Sequence, residues 1–186
     1  MSTTAYCVLG LLSFDRELSG YDLKKWADHS LSLFYWSPAT SQIYGELRRL
    51  ETHGYVSSRE VPQDELRNKR VYVITESGKE VLTRWLVEEP LGVPVLKHPV
   101  LLRVWLGHLV EPERLRAVIQ EHLDQTTRQL EVLGRDLQIT SAEADMRYPE
   151  LILRWAERHH RAEQANAEQL LREIDEARAA SYDGLS

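Results

Sequence analysis

The side chains best suited to recognition chemistry lie in SPATSQIYGELRRLETHGYV, residues 37–56. At ~100° per residue, Ala39, Ile43, Leu47 and Leu50 fall within one apolar stripe. Ser41, Gly45, Arg48 and Thr52 lie opposite, flanked by Gln42 and Arg49. Glutamine can pair with adenine, serine with several base edges, and arginine with guanine or phosphate. Gly45 sits mid-helix, where glycine costs about 1 kcal/mol relative to alanine. It also removes a side chain from the centre of the polar arc, where another molecule could approach closely. A major groove, ~12 Å wide, accepts a helix of this shape. A solvated surface helix would carry the same arc, so the neighbouring segments must decide.

The ends of this third helix are marked. Ser37 suits a helix cap, Pro38 the first helical position, and Gly54 a left-handed C-terminal cap. Tyr55 to Val61 and Arg70 to Ile74 then read as two strands. Between them lies PQDELRNK, residues 62–69, a polar turn ending in basic residues. Arg67, Asn68, Lys69 and Arg70 could grip a phosphate backbone, with Asp64 and Glu65 opposing. Thr75 caps a further helix whose apolar residues are Leu82, Trp85 and Leu86.

Two helices must precede and position this unit. Thr3 to Ser13 puts Ala5, Val8, Leu9 and Leu12 on one face, with Cys7 and Leu11 off it. A helix apolar on two sides has a second side to offer a partner. The next helix begins at Ser19, where Asp22 completes a capping-box pattern. Leu23, Trp26, Ala27 and Phe34 share its face, and the pattern leaves open whether it runs to Tyr35. Trp36 and Trp85 are expected to pack within this domain.

Helix, helix, helix, hairpin, helix is the order of a winged helix-turn-helix. The segments AYCVLGLLS, SGYDLKKW, SQIYGELRRLETHGYV and KRVYVITESGKEVL resemble the N-terminal domain of PadR-type transcriptional regulators, over about residues 4–86. The resemblance implies a dimeric DNA-binding regulator, usually a repressor of nearby genes, often responsive to phenolic or hydrophobic small molecules. By position, Tyr44 would be the tyrosine of the recognition helix and Arg67 to Arg70 the basic side of the wing. The chain departs from the commoner pattern in Ser41-Gln42, where many members have glycine and a small residue, and in its half-acidic wing. The C-terminal part resembles the longer subfamily only in length, helicity and tryptophan content.

Charge agrees with a local nucleic-acid surface. The 186 residues carry a net charge of −6. Residues 1–86 hold 11 basic and 11 acidic side chains and the remainder 12 and 18, so the whole deficit is C-terminal. Any DNA-binding surface is therefore N-terminal and confined.

The segment around residues 89–100, rich in proline, reads as a linker between a winged domain, 1–88, and a helical domain, 101–186. Pro112 starts a helix expected to reach about Leu137, with Leu115, Ile119, Leu130, Leu133 and Leu137 as its stripe and His122 and Thr126 inside it. A last helix begins near Pro149, with Ile152, Trp155, Ala162 and Leu170 as its stripe and His159 and Asn166 inside it. Two long amphipathic helices bury more against a partner than alone, so this part is read as a dimerisation arm. A self-contained helical domain is the other reading.

The fold class expected is mainly α with a small β-hairpin. The partners expected are double-stranded DNA with a pseudo-palindromic operator, a second copy of the chain, and a small-molecule effector. Trp105 and Trp155 are the effector-site candidates, since flat rings stack on flat ligands, and core or interface anchoring is the alternative. The DNA-contact set is Ser37, Thr40, Ser41, Gln42, Tyr44, Gly45, Arg48, Arg49, Arg67, Asn68, Lys69 and Arg70. No catalytic motif is present, no cofactor is expected, and the seven histidines show no metal-ligand spacing. One cysteine, no secretory leader and no long apolar run point to a cytoplasmic protein. The rival class is a winged protein-interaction module that does not touch DNA.

Overall fold

A computed structural model describes residues 1–63, 66–142 and 146–183; the side chains of residues 63–68 and 177–183 lie outside that description. The chain divides into two compact units, Met1–Val93 and Pro94–Ser186. No helix among the described residues is long and apolar enough to cross a membrane.

The first unit opens with α1, Thr3–Leu12, capped by Ser2, whose Oγ accepts from the Ala5 N–H. Ala5, Val8, Leu9 and Leu12 are buried as the periodicity requires. Leu11, expected off that face, is buried too, so α1 fills the core over a wider arc than one stripe. The short β1, Leu18–Ser19, is too brief for any sequence pattern. It leads into α2, Gly20–His29, through the expected capping box: Ser19 Oγ accepts from the Asp22 N–H, and Asp22 accepts from the Ser19 N–H at 3.0 Å. The helix stops at His29, where the Ser30 hydroxyl turns back to the Trp26 carbonyl. A single turn of 3-10 helix, Leu31–Leu33, follows, so Phe34 lies outside α2 and exposed.

The recognition-type helix, α3, is Thr40–Thr52, and it begins later than Ser37 suggests. Ser37 is no cap: its hydroxyl donates to Asp28 and accepts from Lys24. The cap position is Ala39, which has no side-chain acceptor, so Gln42 satisfies it from within the helix by accepting the Ala39 N–H at 2.8 Å. Ile43, Leu47 and Leu50 are buried while Ala39, assigned to the same stripe, is exposed because it precedes the helix. Gly54 takes φ +73° just past the helix end, the left-handed conformation for which glycine is suited.

The strands β2, Val56–Gln63, and β3, Leu66–Ile74, pair antiparallel, with Val56 opposite Ile74 and Gln63 opposite Leu66. The hairpin is longer than expected, because the segment read as a polar turn is largely strand. A register shift between Val61 and Gln63 absorbs the irregularity. β1 pairs with the other edge of β3, giving the order β1-β3-β2. Tyr72 on the central strand is buried. α4, Glu76–Glu88, follows, capped by Thr75, whose Oγ1 accepts from the Gly78 N–H. Trp85 packs within the unit, stacked on Tyr6 with centroids 4.4 Å apart, whereas Trp36 is exposed beside Tyr35.

The second unit contains α5, Pro99–Trp105, a 3-10 turn at Gly107–Leu109, α6, Pro112–Thr140, and α7, Arg147–Asp183. Cross-links such as Arg116 to Asp175 and Ser141 to Glu150 identify α6 and α7 as an antiparallel pair. The α6 stripe is buried at Leu115, Ile119, Thr126 and Leu133. On α7 the buried line runs through Ala156, Ala167 and Leu171, and the small alanines admit α6 closely. The expected α7 stripe is displaced: Ile152, Trp155, His159, Ala162 and Asn166 are exposed, and only Leu170 is half-buried. The helix has two apolar arcs, and periodicity alone does not say which of them meets its own chain.

Close approaches make the fold testable. A Cβ on Gly78 would lie 2.2 Å from the Tyr55 carbonyl oxygen, a backbone atom already accepting from the Thr75 N–H. Gly78→Ala is expected to destabilise by about 1–3 kcal/mol. Gly45→Ala, where nothing lies within 4 Å, is expected to stabilise by ~0.5–1 kcal/mol. Thermal melts that rank the two variants the other way would refute the packing described.

Asp22 also ties α2 to the wing through Lys69, 2.8 Å away. Burial pushes its carboxyl up, but hydrogen bonds from Lys69 and Ser19 outweigh burial and hold it below the usual carboxylate range. A depressed folded pKa stabilises above the unfolded value, ~4, and that contribution is lost as pH falls through the folded one. Asp22→Asn should thus cost about 1 kcal/mol at pH 7, and the gap from the parent in urea midpoint should close as pH drops below ~4. A gap unchanged at acid pH would argue against the ionised pair.

Candidate nucleic-acid interface

The site is built on α3, whose inner face is anchored by Ile43, Leu47 and Leu50, all 2% exposed or less. That burial fixes the rotation of the helix and turns Thr40, Ser41, Gln42, Arg48 and Arg49 outward. Gly45 lies among them with open space where a side chain would be. Arg48 makes no ion pair among the described residues, while Arg49 reaches Glu46 at 3.3 Å. Glu46 in turn accepts from the Ser2 hydroxyl, linking α3 to the start of α1.

Gln42 is less free than its exposure suggests. One lone pair of its oxygen is taken by the Ala39 N–H, which folds the side chain back over the start of the helix. Swinging out for the two-handed pairing with adenine would give up that cap.

Tyr44 is explained by a residue that spacing did not single out. A Cβ on Gly20 would fall 2.5 Å from the Tyr44 ring. The glycine of SGYDL therefore makes room for the tyrosine of α3, and the ring bridges the two helices while staying 39% exposed. Glycine in that motif was the available signal, legible only once its partner is known.

Two of the wing bases, Lys69 and Arg70, are engaged within the winged unit. Lys69 is paired with Asp22 on α2. Arg70 donates to both Glu51 oxygens on α3, at 3.0 and 3.1 Å, and to Ser58 on β2 at 2.7 Å. These contacts lock the root of the wing to α2 and α3, and both cations keep an exposed flank. Sequence reasoning also passed over Arg59, which is bound by Glu17. The side chains of Arg67 and Asn68, and residues Asp64 and Glu65, lie outside the described set.

Trp105 and Trp155, the aromatic candidates of the C-terminal unit, are 78% and 44% exposed. Neither is a core anchor. Trp155 stacks on His159, with ring planes 6° apart.

Comparison with known proteins places this arrangement. Residues 8–84 match the transcriptional regulator PadR-like family, and residues 96–175 match the virulence activator alpha C-terminal family. The chain is 29% identical over 145 residues to the negative transcriptional regulator PadR of Bacillus subtilis, covering 78% of this chain and 79% of that protein. The crystal structure of B. subtilis PadR in complex with operator DNA superposes with a TM-score of 0.79 at 26% identity, over 93% of this chain and 99% of that one. The same protein in complex with p-coumaric acid gives a TM-score of 0.71 at 26% identity, over 94% and 99%. With both halves matched and the winged architecture in place, the first unit carries a domain of the PadR-like family of transcriptional regulators and the second a C-terminal domain of the virulence activator alpha type.

Proposed function

We propose that the chain binds operator DNA as a homodimer, with α3 of each copy in a major groove, and represses transcription until a small hydrophobic or phenolic effector releases it. The observation that carries this reading is the outward face of α3, where exposed Ser41, Arg48 and Arg49 surround the open surface at Gly45. A flat polar face with an arginine that is unpaired among the described residues suits close approach to base edges and phosphates. Ser41, Arg48 and the Gln42 amide are assigned to the groove. The exposed flanks of Lys69 and Arg70, with Arg67 and Asn68, are assigned to the backbone beside it. Ser37 is not assigned to DNA, since Lys24 and Asp28 hold it. The operator complex of the B. subtilis relative supports the reading. Its p-coumaric acid complex supports a planar phenolic effector.

The dimer is assigned to the α7 face that its own chain leaves open: Ile152, Trp155 and Ala162. Two linked copies gain affinity through effective concentration, and a pseudo-palindrome with half-sites ~34–36 Å apart would match their symmetry.

DNA titrations over a salt series separate this function from that of a protein-interaction module. Log K should fall linearly with log salt in the parent. Gly45→Glu should abolish binding, and Arg48→Ala should weaken it and reduce the salt slope by ~1. Full affinity in Gly45→Glu would remove α3 from the groove. A planar phenolic acid added to the complex should release the DNA.

Sedimentation tests the dimer. Ile152→Glu combined with Ala162→Glu should lower the mass toward that of a monomer and weaken operator binding at least about tenfold. A dimer of unchanged affinity would assign the α7 face another role.

A further inference from the structure

In the C-terminal unit, three side chains from separate elements converge on one point. His98, at the start of α5, directs Nε2 to Oε1 of Glu163 on α7 at 2.6 Å. His122 on α6 directs its own Nε2 to the same oxygen at 2.7 Å. The imidazole rings meet edge to face, 5.3 Å between centroids. All three donor atoms lie within 4.8 Å of one another. The side chains are 14, 22 and 19% exposed, enough for an ion to enter and too little for water to do all the solvating.

One imidazole N–H is enough to pair a carboxylate oxygen. Two, brought from 65 and 41 residues away, draw three polar side chains out of water onto a single atom, and each pays desolvation for it. Two imidazole nitrogens and a carboxylate oxygen facing a common centre are the donor set of a first-row divalent ion. Zinc takes such ligands at ~2.0–2.2 Å, with a fourth position open. At tetrahedral angles those bond lengths put ligand atoms ~3.4 Å apart, so entry of the ion requires the two nitrogen–oxygen contacts to open by somewhat under 1 Å. His98 Nδ1 accepts from the Leu101 N–H at a long 3.3 Å. Coordination through Nε2 puts the ring proton on Nδ1, and this exposed backbone group is then left to water. The cost is one weak hydrogen bond.

We propose that His98, His122 and Glu163 form a mononuclear site for a divalent transition-metal ion of the zinc class, with water completing the coordination. Each ligand comes from a different element, so no local spacing announces the site. A bound ion would pin His98, near the end of the proline-rich segment, onto the α6–α7 pair.

The test uses the full chain stripped by chelator dialysis and titrated with Co²⁺, whose visible absorption reports coordination. One Co²⁺ per chain should bind with a Kd of ~10 μM or tighter, and zinc should displace it. His122→Gln and Glu163→Gln, checked for helicity by circular dichroism, should each weaken binding at least about tenfold. His159→Gln, on the exposed arc of α7, should change nothing. Absence of a cobalt band at ~1 mM, or full affinity in both ligand variants, would overturn the proposal. X-ray absorption on the zinc-loaded parent is independent of any variant. A nitrogen and oxygen shell containing two imidazoles supports the site, and a shell without imidazole, or with sulfur, refutes it.

Discussion

The winged unit depends on the burial of one line of side chains, Ile43, Leu47 and Leu50. Fully burying side chains of this kind contributes about 1.5–3 kcal/mol each. More important is what that burial fixes: a helix held along one line has only one rotation about its axis. α1, α2 and β2 all pack against α3, so the polar arc through Ser41, Gly45 and Arg48 faces outward by necessity. The candidate recognition surface is the complement of the core.

Electrostatics sets the next layer. Residues 1–86 balance acids and bases, and the contacts show how some of that balance is used. Asp22 holds Lys69, Glu51 holds Arg70, and Glu17 holds Arg59. Exposed ion pairs contribute little stability, about 0–1 kcal/mol each. Their value here is geometric, because the first two set the root of the wing against α2 and α3 and the third ties β2 to the segment before β1. The same cations can still meet an anion on their exposed flanks. A wing held in place loses less conformational freedom on binding than one that must be ordered.

The sequence disclosed the parts governed by local rules. Capping chemistry located α2, a proline located α6, and periodicity found the inner face of α3. It disclosed less where two local solutions compete. Ser37 looked like the cap of α3, yet it was taken by α2, and Gln42 served instead. The wing strands ran longer than their composition implied because cross-strand pairing extends a polar segment that has no propensity of its own. Long-range partners were invisible: β1 exists only because β3 lies beside it, and Gly20 matters only because of Tyr44. The cluster of His98, His122 and Glu163 is the extreme case, with every member on a different element.

α7 carries this reasoning to its last step. A helix in a simple antiparallel pair needs one buried stripe, and α7 has it in Ala156, Ala167 and Leu171. Selection for the pair alone would leave the remaining surface polar. Ile152 and Trp155 are instead apolar and outward, and Leu151 beside them is 54% exposed. Large apolar side chains grouped on one exposed arc cost solubility unless something covers them. Ala156 and Ala167 face α6, letting the pair close tightly there, while Leu151, Ile152 and Trp155 are turned away. That division is efficient if the second arc has a large, flat partner. A second α7 related by two-fold symmetry, as proposed above, would be such a partner, since an isologous contact presents each arc to its own copy.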